Sequence, residues 1–252
     1  KSADPKRTLF ELMDDAVRLR LIADVPVGAF LSGGVDSSIV SALAARHHKH
    51  LHTFSIGYAD DPHYDESRYA EEVARQIGSE HYTFRLTREE LAENYTRLLA
   101  ATGEPFADSS ALPAYMLCER TRKDVTVAVS GDGADEVFGG YTKHQAELRW
   151  HRPGVAERVV RLLAPLWHAL PRSRNGEWAN RFRQYDRFAR LAAMPAGRRF
   201  LELAAFTTHA EADALVAART DARATAGRDA LFAEGTGRLP GMNGALLADV
   251  QS

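Results

Sequence analysis

The chain has 252 residues, enough for one large domain or two small ones. Hydrophobic residues make up 45% and charged residues 26%, as in an ordinary soluble globular protein, and a formal net charge of −2 gives no overall electrostatic case for nucleic acid or membranes. The single cysteine, Cys118, excludes an internal disulfide framework and an all-cysteine zinc site.

No apolar run approaches the roughly 18 residues of a membrane span, and no signal-peptide pattern opens the sequence. The expectation is a protein of the reducing cytoplasm. Along the chain, residues 8–21 carry Leu9, Leu12, Met13, Ala16 and Val17 at helical spacing, capped by Thr8 or a residue before it. Residues 25–31 read as a short buried strand, and residues 36–48 as a helix with Ile39, Val40, Leu43 and Ala44 inward. A second strand follows over 51–58. A second helix over 65–78 has Tyr69, Val73 and Ile77 four apart and Gly78 as its stop. Residues 80–86 predict a third strand, 88–103 and 112–123 two further helices, and 124–130 a fourth strand.

This alternation predicts an α/β fold, a mostly parallel sheet with helices on both faces. In such sheets ligands bind beyond the carboxyl ends of the strands. The segments to inspect are therefore "SGGVDSS", "GYADD" and "SGDGADE". From about Tyr141 the strand patterns stop. Residues 156–170, 177–193, 197–206 and 210–220 read as helices, and 225–244 as a turn-rich loop. The predicted division is a core over 1–145 and a helical extension over 146–252. Arginine is dense between Arg149 and Arg199, and the simplest account is solvated faces of amphipathic helices.

Ser32, Gly33 and Gly34 lie between an apolar strand and a helix start. Glycines there let the backbone turn tightly and bring its N–H groups to a ligand. The helix N-terminus suits an anion, and Ser32, Ser37 and Ser38 add hydroxyl donors. The bland alternative is an ordinary turn with Asp36 or Ser37 as N-cap. Asp36 sharpens the reading. A carboxylate beside phosphate oxygens is repulsive unless a cation lies between them, which points to Mg²⁺. Val35 and Asp36 occupy the region where a Walker loop carries its lysine, so the turn fits a pyrophosphate that leaves intact.

"SGGVDSS" resembles the pyrophosphate loop of the N-type ATP pyrophosphatases. "VAVSGDGADEVFGGY", over residues 127–141, resembles the second signature of the glutamine-dependent asparagine synthetase family. "GEPFADSSALPAY", over 103–115, is similar to a third family segment in the expected order. The resemblance implies an adenine nucleotide alpha-hydrolase-like fold, with ATP as co-substrate cleaved between its α- and β-phosphates. It implies nucleotide contacts at Leu31, Ile56, Ser130 and Gly131, and Mg²⁺ held by Asp36 and Asp135. It also implies a catalytic role for Asp132, accepting a proton from the attacking amine or orienting it, with a turn role as the alternative. Glu104, Asp108, Ser109 and Ser110 fall where the family places its carboxylate acceptor, although some members carry an arginine there and this chain does not.

The implied reaction adenylates the aspartate side chain and lets ammonia displace AMP to give asparagine. Two alternatives remain: a related amidotransferase or cyclase acting on another carboxylate, and a non-catalytic nucleotide-binding module. Neither a glutaminase domain nor a downstream lysine-bearing segment is recognised, so the expectation is an incomplete synthetase supplied with ammonia from elsewhere. No nucleic-acid or membrane partner is expected, and a homodimer is left open for the full-length protein. His47, His48, His50 and His52 have no common face, and His81 reads as structural.

Overall fold

Four runs rich in β-branched, aromatic and small residues become the strands of one sheet: β1 (Val27–Phe30), β2 (His52–Tyr58), β3 (Glu80–Leu86) and β4 (Val127–Val129). In this computed structural model residues 4–103, 108–171, 173, 176–204 and 246 are described. Every strand pair is parallel and the spatial order is β3-β2-β1-β4. The chain therefore leaves β1 in one direction to build β2 and β3, then crosses back to lay β4 on the other side of β1. The resulting switch point between β1 and β4 is where parallel sheets open a crevice at their carboxyl edge.

The connecting helices are α1 (Pro5–Arg20), α2 (Val35–His47), α3 (Ser67–Ile77), α4 (Arg88–Thr102) and α5 (Ala111–Thr121). Asp4 caps α1 by accepting the Arg7 N–H at 3.1 Å, so the helix starts before Thr8. A reciprocal capping box between Thr87 and Glu90 starts α4, and Gly78 ends α3 in the left-handed region as predicted. Register places Ala29, Thr53 and His81 side by side on one sheet face and Phe30, Phe54 and Tyr82 on the other. Phe54 stacks on Tyr82 and Phe84, and Arg120 of α5 lies over Phe84. The opposite face meets α2 and α3, so helices cover both faces. There Val17, Ala29, Leu43, Ala44 and Leu51 form one buried cluster and Leu31, Ala70 and Ala74 another.

One inward assignment changes, and the apolar row read on the second helix is not all buried. Ile39 is 40% exposed, while Ser37 and Ser41 of α2 are buried. On α3, Tyr69 is exposed and the small Ala70 and Ala74 face the core. Small side chains on these faces let the helices approach the sheet closely.

The chain divides into two units that meet at Asp132 and Gly133, ahead of the boundary read at 145. In the second unit every described element is a helix: α6 (Ala134–Phe138), α7 (Thr142–His151), α8 (Val155–Leu162), α9 (Ala164–Ala169), α10 (Glu177–Ala192) and α11 (Ala196–Ala204). The helix expected over 156–170 is two helices, because Pro165 has no N–H to continue the ladder. Trp150 stacks on Phe188 at 4.9 Å, and buried Arg199 pairs through two nitrogens with buried Glu147. Of the arginine-rich stretch, Arg181 pairs with Glu177 and Arg183 with Asn180. The helix expected over 210–220 and the loop over 225–244 lie outside the described residues.

Candidate active site

The turn from β1 into α2 is built by its own small side chains. The Ser32 and Ser37 hydroxyls lie 2.9 Å apart, and Ser37 Oγ accepts the Ser32 N–H at 3.2 Å. The same hydroxyl reaches the Gly34 carbonyl at 3.3 Å, and the Gly34 N–H points to Ser32 Oγ at 3.3 Å. Gly34, not Asp36 or Ser37, is the N-cap, and it makes no side-chain cap bond. The leading amides of α2 thus remain available to a ligand, as an anion site requires. Gly33 has φ 83°, and a Cβ there would sit 2.5 Å from Tyr69 Cβ and 2.6 Å from Ala70 N. Both backbone conformation and space therefore demand glycine.

Across the switch point, β4 ends in a second turn. A Cβ on Gly131 would lie 2.6 Å from Ser37 N and 2.9 Å from the Asp36 carbonyl carbon. The two sequence motifs, about a hundred residues apart in the chain, are therefore in backbone contact at the start of α2. Ser130 Oγ donates to Asp132 Oδ2 at 2.9 Å and accepts the Asp132 N–H at 3.3 Å. Asp132 is exposed at this edge, with its carboxylate oriented by the preceding serine.

Other predicted residues divide by location. Asp36 is half-buried in the first turn of α2, and no hydrogen bond or ion pair engages its carboxylate among the described residues. Ser38 Oγ is buried with no hydrogen-bond partner there. The Leu31 side chain is buried against Ala70 and Ala74, and Ile56 is half-buried on the aromatic face of the sheet. Asp108 Oδ1 accepts both the N–H and the hydroxyl of Ser110 at 2.8 Å, and these bonds hold its carboxyl below the usual carboxylate range. Ser109 adjoins that turn ahead of α5, and Glu104 lies outside the described residues. Asp135 belongs to the second unit, on α6, where its carboxylate packs against Gly140. Glu136 of the same helix accepts from Tyr141 Oη at 2.8 Å.

The histidines are separately employed. His47 pairs with Asp14 at 3.0 Å and His52 with Glu80 at 3.4 Å, on different elements. His81 bonds Thr53 Oγ1 at 2.9 Å and Ser55 Oγ at 3.1 Å, and burial pushes its pKa down. Asp65, read from sequence only as part of a helix start, ties three elements together. Its Oδ1 accepts the Ser67 N–H at 3.0 Å and its Oδ2 meets Arg85 Nη1 at 3.0 Å. No sequence signal marks that contact; Arg85 comes opposite Gly57 only once β2 and β3 are paired.

A parallel sheet whose switch point carries a glycine turn and an uncapped helix start defines an α/β domain with its open crevice at the strands' carboxyl edge, an arrangement suited to an anion. Residues 8–234 match the Asparagine synthase family, and the chain belongs to that family. Asparagine synthetase [glutamine-hydrolyzing] 1 of Bacillus subtilis is 39% identical over 134 residues, covering 53% of this chain and 21% of that protein. Its counterpart 3 from the same organism is 33% identical over 181 residues, covering 64% and 28%. A Methanocaldococcus jannaschii relative is 39% identical over 173 residues, covering 67% and 33%. The chain thus spans a third or less of the length of these relatives. Among solved structures, NMN synthetase from Francisella tularensis aligns with a TM-score of 0.37 at 20% identity, over 56% of this chain and 60% of that one.

Proposed function

We propose that this chain is the ATP-consuming part of an asparagine-forming ligase. An oxygen of the aspartate β-carboxylate attacks the α-phosphorus of ATP, the bond to the β-phosphate oxygen breaks, and pyrophosphate leaves. Ammonia then attacks the acyl carbon of the aspartyl adenylate, the acyl–oxygen bond breaks, and AMP departs. The relatives' names state glutamine hydrolysis, which makes glutamine the proposed source of that ammonia. The single observation that carries the reading is the Gly131 contact with the start of α2, which joins both motifs at the switch point.

In this reading the leading amides of α2, with Gly33, Gly34 and Ser38, cradle the departing pyrophosphate. Ser32 and Ser37 hold the cradle's shape through their paired hydroxyls. Ser130, Gly131, Leu31 and Ile56 border the nucleotide. Asp132, steered by Ser130, takes a proton from the attacking amine. Among the described residues there is no group of three or more metal-ligating side chains. The Asp36 carboxylate, which no partner engages among the described residues, fits Mg²⁺ nevertheless, since that ion keeps few protein ligands and completes its shell with phosphate and water. When bound, it supplies charge neutralisation for the leaving pyrophosphate.

The test is product analysis. With ATP, Mg²⁺, aspartate and ammonium, the products are AMP and pyrophosphate, and ¹⁸O from labelled aspartate carboxylate appears in AMP. Formation of ADP and phosphate would sink the reading. A different carboxylate acceptor is the second reading, favoured by the Asp108–Ser110 turn, which lies in the segment where some family members carry an arginine and this chain does not. A screen of acceptors by pyrophosphate release separates the two.

A further inference from the structure

The pyrophosphate turn does not stand alone. Its tightest point, Gly33, is pressed on the first turn of α3 at Tyr69 and Ala70, whose position therefore sets the position of the turn. What fixes that first turn is Asp65. One carboxylate oxygen caps the Ser67 N–H, and the other meets Arg85 of the edge strand β3. A Cβ on Gly57 would lie 3.0 Å from the first oxygen, so the carboxylate also rests on the carboxyl end of β2. Arg85 also reaches α3 itself, 3.8 Å from Glu71. The Asp65 side chain is only 17% exposed.

We infer that Asp65 is a positioning residue for the pyrophosphate turn: it locks α3 to β2 and β3, and α3 in turn buttresses Gly33. The inference rests on the proposed function for its meaning and on the Asp65–Ser67–Gly33 contacts for its geometry. Burial opposes the charge on Asp65, but the Ser67 and Arg85 bonds outweigh it and hold the carboxyl below its ordinary range, as a working ion pair requires.

Hydrogen exchange by mass spectrometry on the whole chain tests this, with magnesium pyrophosphate as the binding probe. In Asp65→Ala, amides 67–70 exchange faster and amides 31–38 follow, by about tenfold, with a matching rise in the pyrophosphate dissociation constant. Asp65→Asn keeps the acceptor for Ser67, and its amides 31–38 recover toward wild type. Should Asp65→Ala not fold, Arg85→Gln carries the test, because that side chain is 55% exposed and its loss cuts only the tie to β3. About threefold faster exchange at 31–38 is expected for it. Acceleration confined to 67–70, or wild-type exchange at 31–38 in both Arg85→Gln and the Asp65 variants that fold, overturns the inference. If the unaltered chain fails to bind pyrophosphate while Asp65 variants still loosen 31–38, the proposed function falls and the positioning role stands.

Discussion

Gly33→Ala isolates what the turn demands, with Gly78→Ala as its control. Both glycines have positive φ, 83° and 70°, so each alanine meets the left-handed region at about 1–2 kcal/mol. At Gly78 nothing lies within 4 Å of the added Cβ, and that conformational cost is all there is. At Gly33 the new atom meets Tyr69 Cβ at 2.5 Å and Ala70 N at 2.6 Å. Neither can swing aside, since one is a helix backbone nitrogen and the other a Cβ fixed to it. Overpacking of this kind adds about 1–3 kcal/mol. Gly33→Ala is therefore expected to cost about 2–5 kcal/mol, against about 1–2 for Gly78→Ala. Urea unfolding followed by circular dichroism and tryptophan-independent probes of the first unit measures the difference. With a slope of about 1–3 kcal/mol per molar urea, the extra cost moves the midpoint by about 1 M. Pyrophosphate binding falls in Gly33→Ala and persists in Gly78→Ala. Equal midpoints for the two variants would refute the claim that the turn is pressed against α3.

Three further outcomes are expected. Asp36→Asn abolishes the magnesium dependence of pyrophosphate binding and leaves the unfolding free energy within about 0.5 kcal/mol of wild type, because no partner in the described structure is lost; calorimetric titration with and without Mg²⁺ reads the first and urea unfolding the second. His81 has a folded pKa below its unfolded value through burial, so the unfolded chain takes up its proton first as pH falls. Its contribution is present above about pH 6.5 and is lost as pH falls through the folded pKa; melting curves across that window should flatten in His81→Gln, and an unchanged slope would remove His81 as the cause. Arg199→Met strips the two-nitrogen partner from Glu147, 1% exposed, leaving it only His151 Nε2 at 3.2 Å among the described residues, and costs about 3 kcal/mol, while the double replacement with Glu147→Met costs less. Thermal unfolding of the four members of that cycle decides it.

The sheet was legible because parallel strands buried on both faces leave short runs such as "HTFSIGY" bounded by turn residues, and the predicted third strand coincides with β3. Helix faces were read less well. On α2 and α3 the sequence offers large apolar residues at helical spacing, yet Ser37, Ser41, Ala70 and Ala74 face the core. Close approach to the sheet selects small side chains there, and Ile39 and Tyr69 are left outside. The turn's residue types were legible, but their division of labour was not. The Ser37 hydroxyl is engaged with Ser32 and the Gly34 carbonyl inside the turn, a bonding pattern the sequence does not spell out. Asp65 was invisible for another reason: its partner Arg85 is twenty residues away, and only strand register brings them together.

Neither motif explains the chemistry alone. A glycine turn at a helix start binds many anions, and "SGDGADE" by itself is a strand ending in a turn. Parallel order β3-β2-β1-β4 places the two strand ends side by side, and the absent Cβ of Gly131 lets the second turn touch the amide of Ser37. That contact has a chemical consequence. The amides that would hold pyrophosphate and the Ser130–Asp132 pair that would receive the amine's proton lie side by side on one sheet edge. A ligand seated on one would lie beside the other. Gly131→Ala should therefore damage pyrophosphate binding although residue 131 need not touch the ligand, because its Cβ would force the start of α2 away from β4.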